Sequence, residues 1–252
     1  MSTALSVNLN KVALIRNSRE GHFPDLVEFG TLCLDAGAQG LTVHPRPDQR
    51  HIRPADVFTL AKLVKQFPGC EFNIEGNPFA APLADYPGLL SLVEQTQPDQ
   101  CTLVPDSNDQ LTSDHGFDLN RDSEKLKPIL AKLKTWGVRV SLFMDPDREQ
   151  IARARDLGVE RIELYTGPYA EHFGTNRGSE LLDEYRSAAH YAQEIGLAVN
   201  AGHDLNLENL PEFLTIEGIA EVSIGHALTV DALRMGMTPA VARYLSICQH
   251  SR

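Results

Sequence analysis

The sequence predicts an α/β protein of the (β/α)8, or TIM-barrel, class, with a parallel eight-stranded barrel. Three observations predict it. Short β-rich runs recur eight times, helix-patterned segments separate them, and 252 residues suit one such barrel. A single domain over residues 1–252 is expected, because no linker, low-complexity stretch or sequence repeat divides the chain. An open doubly wound sheet fits less well, since no G-x-G-x-x-G follows the first strand.

The expected strands run, in order, Ser6–Leu9, Gly40–Val43, Glu71–Ile74, Gln100–Val104, Arg139–Phe143, Arg161–Leu164, Ala198–Asn200 and Glu221–Ile224. Several read as nearly unbroken apolar or β-branched runs, as in parallel strands covered on both faces. The first helical stripe is Leu26, Phe29, Leu32, Cys33 and Ala36, ending at Gly37. Val57, Leu60, Ala61 and Val64 mark the next. Leu126, Ile129, Leu130 and Leu133 mark a third, with Gly137 as its stop. Ile151, Ala154 and Leu157 precede Gly158, and Leu181, Tyr185, Ala188, Ala189 and Ala192 precede Gly196. Glycine just past a periodic run is a helix-ending signal, because it accepts the left-handed backbone. Pro24 and Pro54 stand where helices would begin, where a missing N–H costs little. The longest irregular stretch, Pro105–Asp122, is the expected lid, with Phe117 and Leu119 to anchor it. A second irregular stretch, Gly167–Gly178, follows the sixth strand.

Composition narrows the partners. A net charge of −11 argues against nucleic acid. No apolar run approaches the roughly 20 residues needed to cross a bilayer, so no membrane partner is expected. Asn8, Asn10 and Lys11 interrupt any signal-peptide core, which points to the cytoplasm. The four cysteines, Cys33, Cys70, Cys101 and Cys248, form no C-x-x-C pair and are expected to be reduced thiols.

In this barrel class the active site lies where the strands end. Asn8 and Asn10 end the first strand, and His44 and Arg46 follow the second. Glu75 ends the third, Glu163 lies in the sixth, Asn200 and His203 end the seventh, and Gly225 and His226 follow the eighth. So many polar groups exceed what capping needs. The loop HPRPDQRHIRP (44–54) gathers two histidines and three arginines among stiffening prolines, which suits a phosphate because arginine offers a planar fork of donors. Gly202-His203 and Gly225-His226 follow the last two strands, whose loops often form a phosphate site. Glycine there lets the backbone approach an anion, and a helix starting near Thr229 would add free N–H groups. Glu75, at the end of an apolar strand, is a candidate acid/base, or else a salt-bridge partner. Glu163, among apolar residues, is either arginine-paired or suited to a developing cationic imine. Histidines 44, 203 and 226 with the two glutamates could converge on a metal, but no H-x-H or H-x-x-x-H pair is present and the arginines favour anions.

These residues sit in the segments SVNLNKVALIRNSR, GLTVHPRPDQRHI, EFNIEGNP, CTLVPD with LTSDHG, RVSLFMDPD, RIELYTGPYA, VNAGHDL and EVSIGHAL. In that order they resemble the pyridoxine 5′-phosphate synthase family of vitamin B6 biosynthesis, across almost the whole chain. The resemblance implies a transferase-class ring closure that joins 1-deoxy-D-xylulose 5-phosphate to 3-amino-2-oxopropyl phosphate. Its products are pyridoxine 5′-phosphate, phosphate and water. It implies no metal and no organic cofactor, small phosphorylated substrates as partners, and a homo-oligomer, often octameric. By position, His44 and Glu75 match proton acceptors, His203 a proton donor, and Glu163 a carboxylate that stabilises transition-state charge. Asn8, Arg19, Gly225 and His226 match contacts to the aminoketone phosphate, and Arg46, His51 and Thr112 contacts to the pentulose phosphate. Asn10-Lys11 replaces a substrate-contacting Asp-His pair, and Asp204 stands where a familiar member has glycine. Residues 76–88 are longer than in that member. Two other functions stay open on the sequence: a metal-dependent sugar-phosphate isomerase or aldolase, and a non-catalytic barrel that binds phosphorylated metabolites.

Overall fold

Eight parallel strands close on themselves in chain order in the computed structural model, which describes residues 2–107 and 109–250. Position 108, inside the expected lid, and positions 1, 251 and 252 of the expected domain lie outside the described residues. The strands are β1 Ala4–Asn8, β2 Gly40–Val43, β3 Glu71–Gly76, β4 Gln100–Leu103, β5 Arg139–Met144, β6 Arg161–Tyr165, β7 Ala198–Gly202 and β8 Ile219–Ile224. Each pairs with its neighbour, and β8 pairs with β1 through Val7↔Ile224 and three further positions. All eight expected runs are strands, with ends within two residues of those expected.

Helices cover the outside. α1 Asn10–Asn17 and α2 Leu26–Asp35 follow β1, α3 Pro54–Val64 follows β2, and α4 Leu89–Thr96 follows β3. α5 Leu119–Thr135, α6 Arg148–Asp156, α7 Gly167–His172 and α8 Asn176–Glu194 come next. α9 Leu210–Phe213, α10 His226–Met235 and α11 Met237–His250 close the order. The five apolar stripes correspond to α2, α3, α5, α6 and α8. In α2 the stripe is displaced, since Leu34 is buried while Leu32 is partly exposed.

Four expectations need correction. The strands are not apolar on both faces. Along β3, Phe72 and Ile74 point outward to the helices, whereas Glu71, Asn73 and Glu75 alternate with them and point into the barrel. The same period of two recurs in β1 (Ser6), β2 (Thr42), β4 (Gln100 and Thr102) and β7 (Asn200), whose polar side chains bond one another inside. The hydrophobic core is therefore the layer between sheet and helices, where Leu5, Leu41, Ile74, Leu142 and Val222 meet Leu60, Leu92, Leu133 and Tyr185.

The other corrections concern helix boundaries. Pro24 is not a helix start, because Asp25 caps α2 by accepting from the Val27 N–H, which leaves proline outside it. Pro54 is the first residue of α3, as expected. Much of the stretch Gly167–Gly178 is helical, divided between α7 and the start of α8. The helix after β8 begins at His226 rather than near Thr229.

Candidate active site

At the C-terminal ends of the strands lies a cavity of ≈ 360 Å³. Its floor is acidic. Glu75 is buried, and three neutral groups lean on it: Asn8 Nδ2 at 3.4 Å, Asn73 Nδ2 at 3.5 Å and Ser223 Oγ at 3.5 Å. Across from it Glu163 is buried with the Thr102 hydroxyl at 3.5 Å. Burial raises the Glu75 carboxyl to about 7, although His44 pulls the other way. Burial raises Glu163 well above the carboxylate range, and the nearby charges of Glu75 and Glu221 add to the effect. Two buried acids facing one small space cannot both ionise cheaply.

His44 bridges two carboxylates at the edge of this floor. Its Nδ1 lies 3.7 Å from Glu75 Oε2 and its Nε2 lies 3.3 Å from Asp106 Oδ2. The strand exit that carries it is pinned by its own N–H, which donates to Asn10 Oδ1 at 2.9 Å. Asn10 is itself fixed, as its N–H donates to Asn8 Oδ1 and turns the chain from β1 into α1. Arg46 Nη2 lies 2.6 Å from Asp106, and its Nη1 donates to the carbonyl of Ser107. His51 accepts the Ile52 N–H at Nδ1, and burial together with His44 and Arg46 lowers it to about 3. It is therefore neutral, with Nε2–H as the only ring donor. An ion pair between Arg16 and Asp56 supports this loop, because Arg16 and Asn17 also donate to the His51 carbonyl.

A second stretch of the rim belongs to β7 and β8. His203 and Asp204 adopt left-handed backbone, with φ of 91° and 59°, a costly conformation for residues other than glycine. The Thr166 hydroxyl holds the turn by bonding the carbonyls of Gly202 and His203. The His203 ring is fixed on three sides: Asp204 Oδ2 at 3.0 Å from Nδ1, Thr112 Oγ1 at 2.7 Å from Nε2, and the Tyr165 ring edge-on at 5.1 Å. The hydrogen bond from His203 holds Asp204 below its ordinary value. Gly225, His226 and Ala227 bring the amino end of α10 to the cavity, where unpaired N–H groups favour an anion.

The site residues expected from sequence line this cavity, except Arg19, Asn200 and Gly202. Arg19 is exposed in the turn after α1 and is not part of the lining. Asn200, expected at a strand end, lies one layer deeper, held by Gln100 and Arg161. The glycines also have a task that was not expected. A Cβ at Gly202 would stand 2.5 Å from Glu163 Oε1, and one at Gly225 would crowd Asn8 at 3.0 Å. They make room for side chains of the site itself. Sequence reasoning missed Asp106, Asn73, Ser223 and Tyr165. Asp106 carried one usable signal, an acid three residues beyond β4. Among the described residues, no three His, Cys, Asp or Glu side chains are grouped so that they could hold a metal ion.

Comparison with known proteins agrees over nearly the whole chain. Residues 5–250 match the family model described as pyridoxal phosphate biosynthesis protein PdxJ. A protein of Xanthomonas campestris pv. campestris named pyridoxine 5′-phosphate synthase is 56% identical over 250 residues, covering 98% of this chain and 96% of its own. Proteins of that name from Xanthomonas axonopodis pv. citri and Xylella fastidiosa are each 53% identical. They cover 98% and 97% of this chain, and 97% and 94% of their own. Among solved structures, a tryptophan synthase from M. tuberculosis superposes with a TM-score of 0.64 at 12% identity, covering 98% of this chain and 93% of that one. At that identity the likeness concerns the barrel fold alone.

Proposed function

The chain belongs to the PdxJ family and is an enzyme of the pyridoxine 5′-phosphate synthase kind; from that premise we propose that it joins 1-deoxy-D-xylulose 5-phosphate to 3-amino-2-oxopropyl phosphate. The products are pyridoxine 5′-phosphate, inorganic phosphate and water. One observation carries the proposal. The buried His44–Glu75 pair lies 3.7 Å apart on the floor of a cavity whose lining includes both Arg46 and the amino end of α10. Two anion-favouring features suit two phosphates, and an acid/base pair in the same cavity suits the reacting carbons.

The chemistry needs several proton transfers. The amine adds to the ketone and water leaves, giving an imine. A base then removes a proton from the adjacent carbon so that phosphate can depart. Closure of a carbon–carbon bond and a second loss of water complete the ring. A carboxyl raised to about 7 gives and takes protons near neutrality, and His44 beside it can relay them. His203, steadied by Asp204 and Thr112, faces the same space and suits protonation of a departing oxygen. Among the described residues no cation pairs with Glu163, and a cationic imine formed there would draw its carboxyl back toward the ionised form. Arg46 and neutral His51 serve the pentulose phosphate, and Asn8, Gly225 and His226 serve the aminoketone phosphate. Lys11 adds positive charge to that rim, and Asp204 is engaged by His203 Nδ1 at 3.0 Å.

The test supplies both substrates to the purified protein and follows phosphate release and ring formation together. Glu75→Gln and His203→Asn are each expected to lower turnover at least about a hundredfold with the fold retained. Near-normal turnover in either variant removes that residue from the mechanism. Binding of the pentulose phosphate without phosphate release would overturn the proposal.

A further inference from the structure

Asp106 is a buried carboxylate that the proposed chemistry does not use, yet one of its oxygens has three partners. Oδ2 lies 2.6 Å from Arg46 Nη2, 3.3 Å from His44 Nε2 and 3.5 Å from Ser113 Oγ. Its own backbone is held independently, because Asn77 Nδ2 donates to its carbonyl at 2.5 Å and Pro105 precedes it. The carboxylate is thus a fixed point between a ring expected to move protons and a guanidinium expected to bind phosphate. Burial pushes Asp106 up, but the charges of His44 and Arg46 outweigh it and hold the group ionised.

We propose that Asp106 is a positioning residue with two opposed effects: it steadies the His44 ring against Glu75, and it restrains the affinity of Arg46 for phosphate. The proposal rests on the acid/base and phosphate-binding roles given above. The first effect follows from geometry. His44 has a carboxylate at each ring nitrogen, so the ring cannot turn over without breaking both contacts. The second follows from charge. A guanidinium already paired at 2.6 Å offers an incoming phosphate less net attraction than an unpaired one. Arg46 also donates toward the carbonyls of Ser107 and Gln110, so the same arginine ties the lid segment down. Weaker substrate capture is the counterpart of a well-placed base.

The opposed signs make the idea testable. Asp106→Asn keeps the shape and removes the charge. Its kcat is expected to fall at least about tenfold, while calorimetric titration shows inorganic phosphate binding severalfold more tightly than in the wild type. Adding Arg46→Ala abolishes the gain, and Asp106→Glu returns phosphate affinity toward the wild-type value. A merely structural role moves both quantities the same way, with weaker phosphate binding and lower kcat. That result, or an unchanged kcat, overturns the proposal. Should Asp106→Asn fail to fold, Asp106→Ser carries the same two expectations. Phosphate titration and the ring ¹⁵N spectrum of His44 require no turnover. A wild type that never condenses the two substrates would therefore sink the proposed function while these measurements still decide the role of Asp106.

Discussion

Burial keeps Glu75 protonated to about pH 7, whereas an unfolded chain ionises the same group in the ordinary carboxylate range. Between those limits the folded protein holds the extra proton, so its stability declines as pH rises through the window. Glu75→Gln removes that penalty. Its melting temperature at pH 8 is expected to exceed that of the wild type, with turnover still collapsed, and a melt and an assay on one sample check both. If Glu75 takes protons in its ionised form, kcat/KM of the wild type climbs with pH through about 7. A pH profile with no such limb removes the role. At this scale the sequence was informative where a polar residue ends an apolar run, as at His44, Glu75 and His203. Asp106 escaped notice because its partners, Arg46 and His44, stand on another loop some sixty residues earlier, and no local pattern announces a pairing at that separation. Gly202 was noticed, but its neighbour Glu163 on the adjoining strand could not be inferred from sequence.

Among the elements, the segment 105–118 has the clearest vulnerability. Gly116 passes so close to β5 that a Cβ there would stand 2.3 Å from the Asp145 nitrogen and 2.6 Å from the Met144 backbone. Backbone cannot step aside as a flexible side chain can, so Gly116→Ala is expected to cost about 1–3 kcal/mol and to lower turnover with it. Thermal melts and initial rates measure the two losses; a variant as stable and active as the wild type would show that the segment has no need of this close approach. Helix α5 offers the opposite change. Pro128 lies in its interior on the exposed face, where it removes a backbone donor and crowds the preceding turn. Pro128→Ala is expected to raise the melting temperature, with a gain of about 1 kcal/mol or more. α2, α3, α5, α6 and α8 were legible in sequence because they repeat their apolar spacing, and all but α3 carry a glycine stop. α1 and α7 were not. α1 is short and carries Asn10, Lys11, Arg16 and Asn17, and α7 opens with Gly167-Pro168, residues that ordinarily signal a turn.

For the molecule as a whole, the alternation of strands and helices was enough to predict a closed barrel, and Val7 paired with Ile224 is its closure. The polar lining was harder to see, because runs such as EFNIEG look continuous until their odd and even positions are separated. Activity is expected to persist undiminished after exhaustive dialysis against a chelator, measured by phosphate release. A loss restored by a divalent cation would revive metal-dependent chemistry on this barrel. Sedimentation is expected to give a particle heavier than the 27.8 kDa chain, the homo-oligomer that the family resemblance implies. Arg19 then needs testing in the assembled particle, since its own chain leaves it outside the cavity. The lining of the bore has a consequence for anyone wishing to alter this catalyst. Because the inner positions are buried and answer one another, changing Ser6, Thr42 or Thr102 alone strands a polar neighbour in the dry interior, at about 1–3 kcal/mol each. A library aimed at the bore must therefore vary bonded partners together.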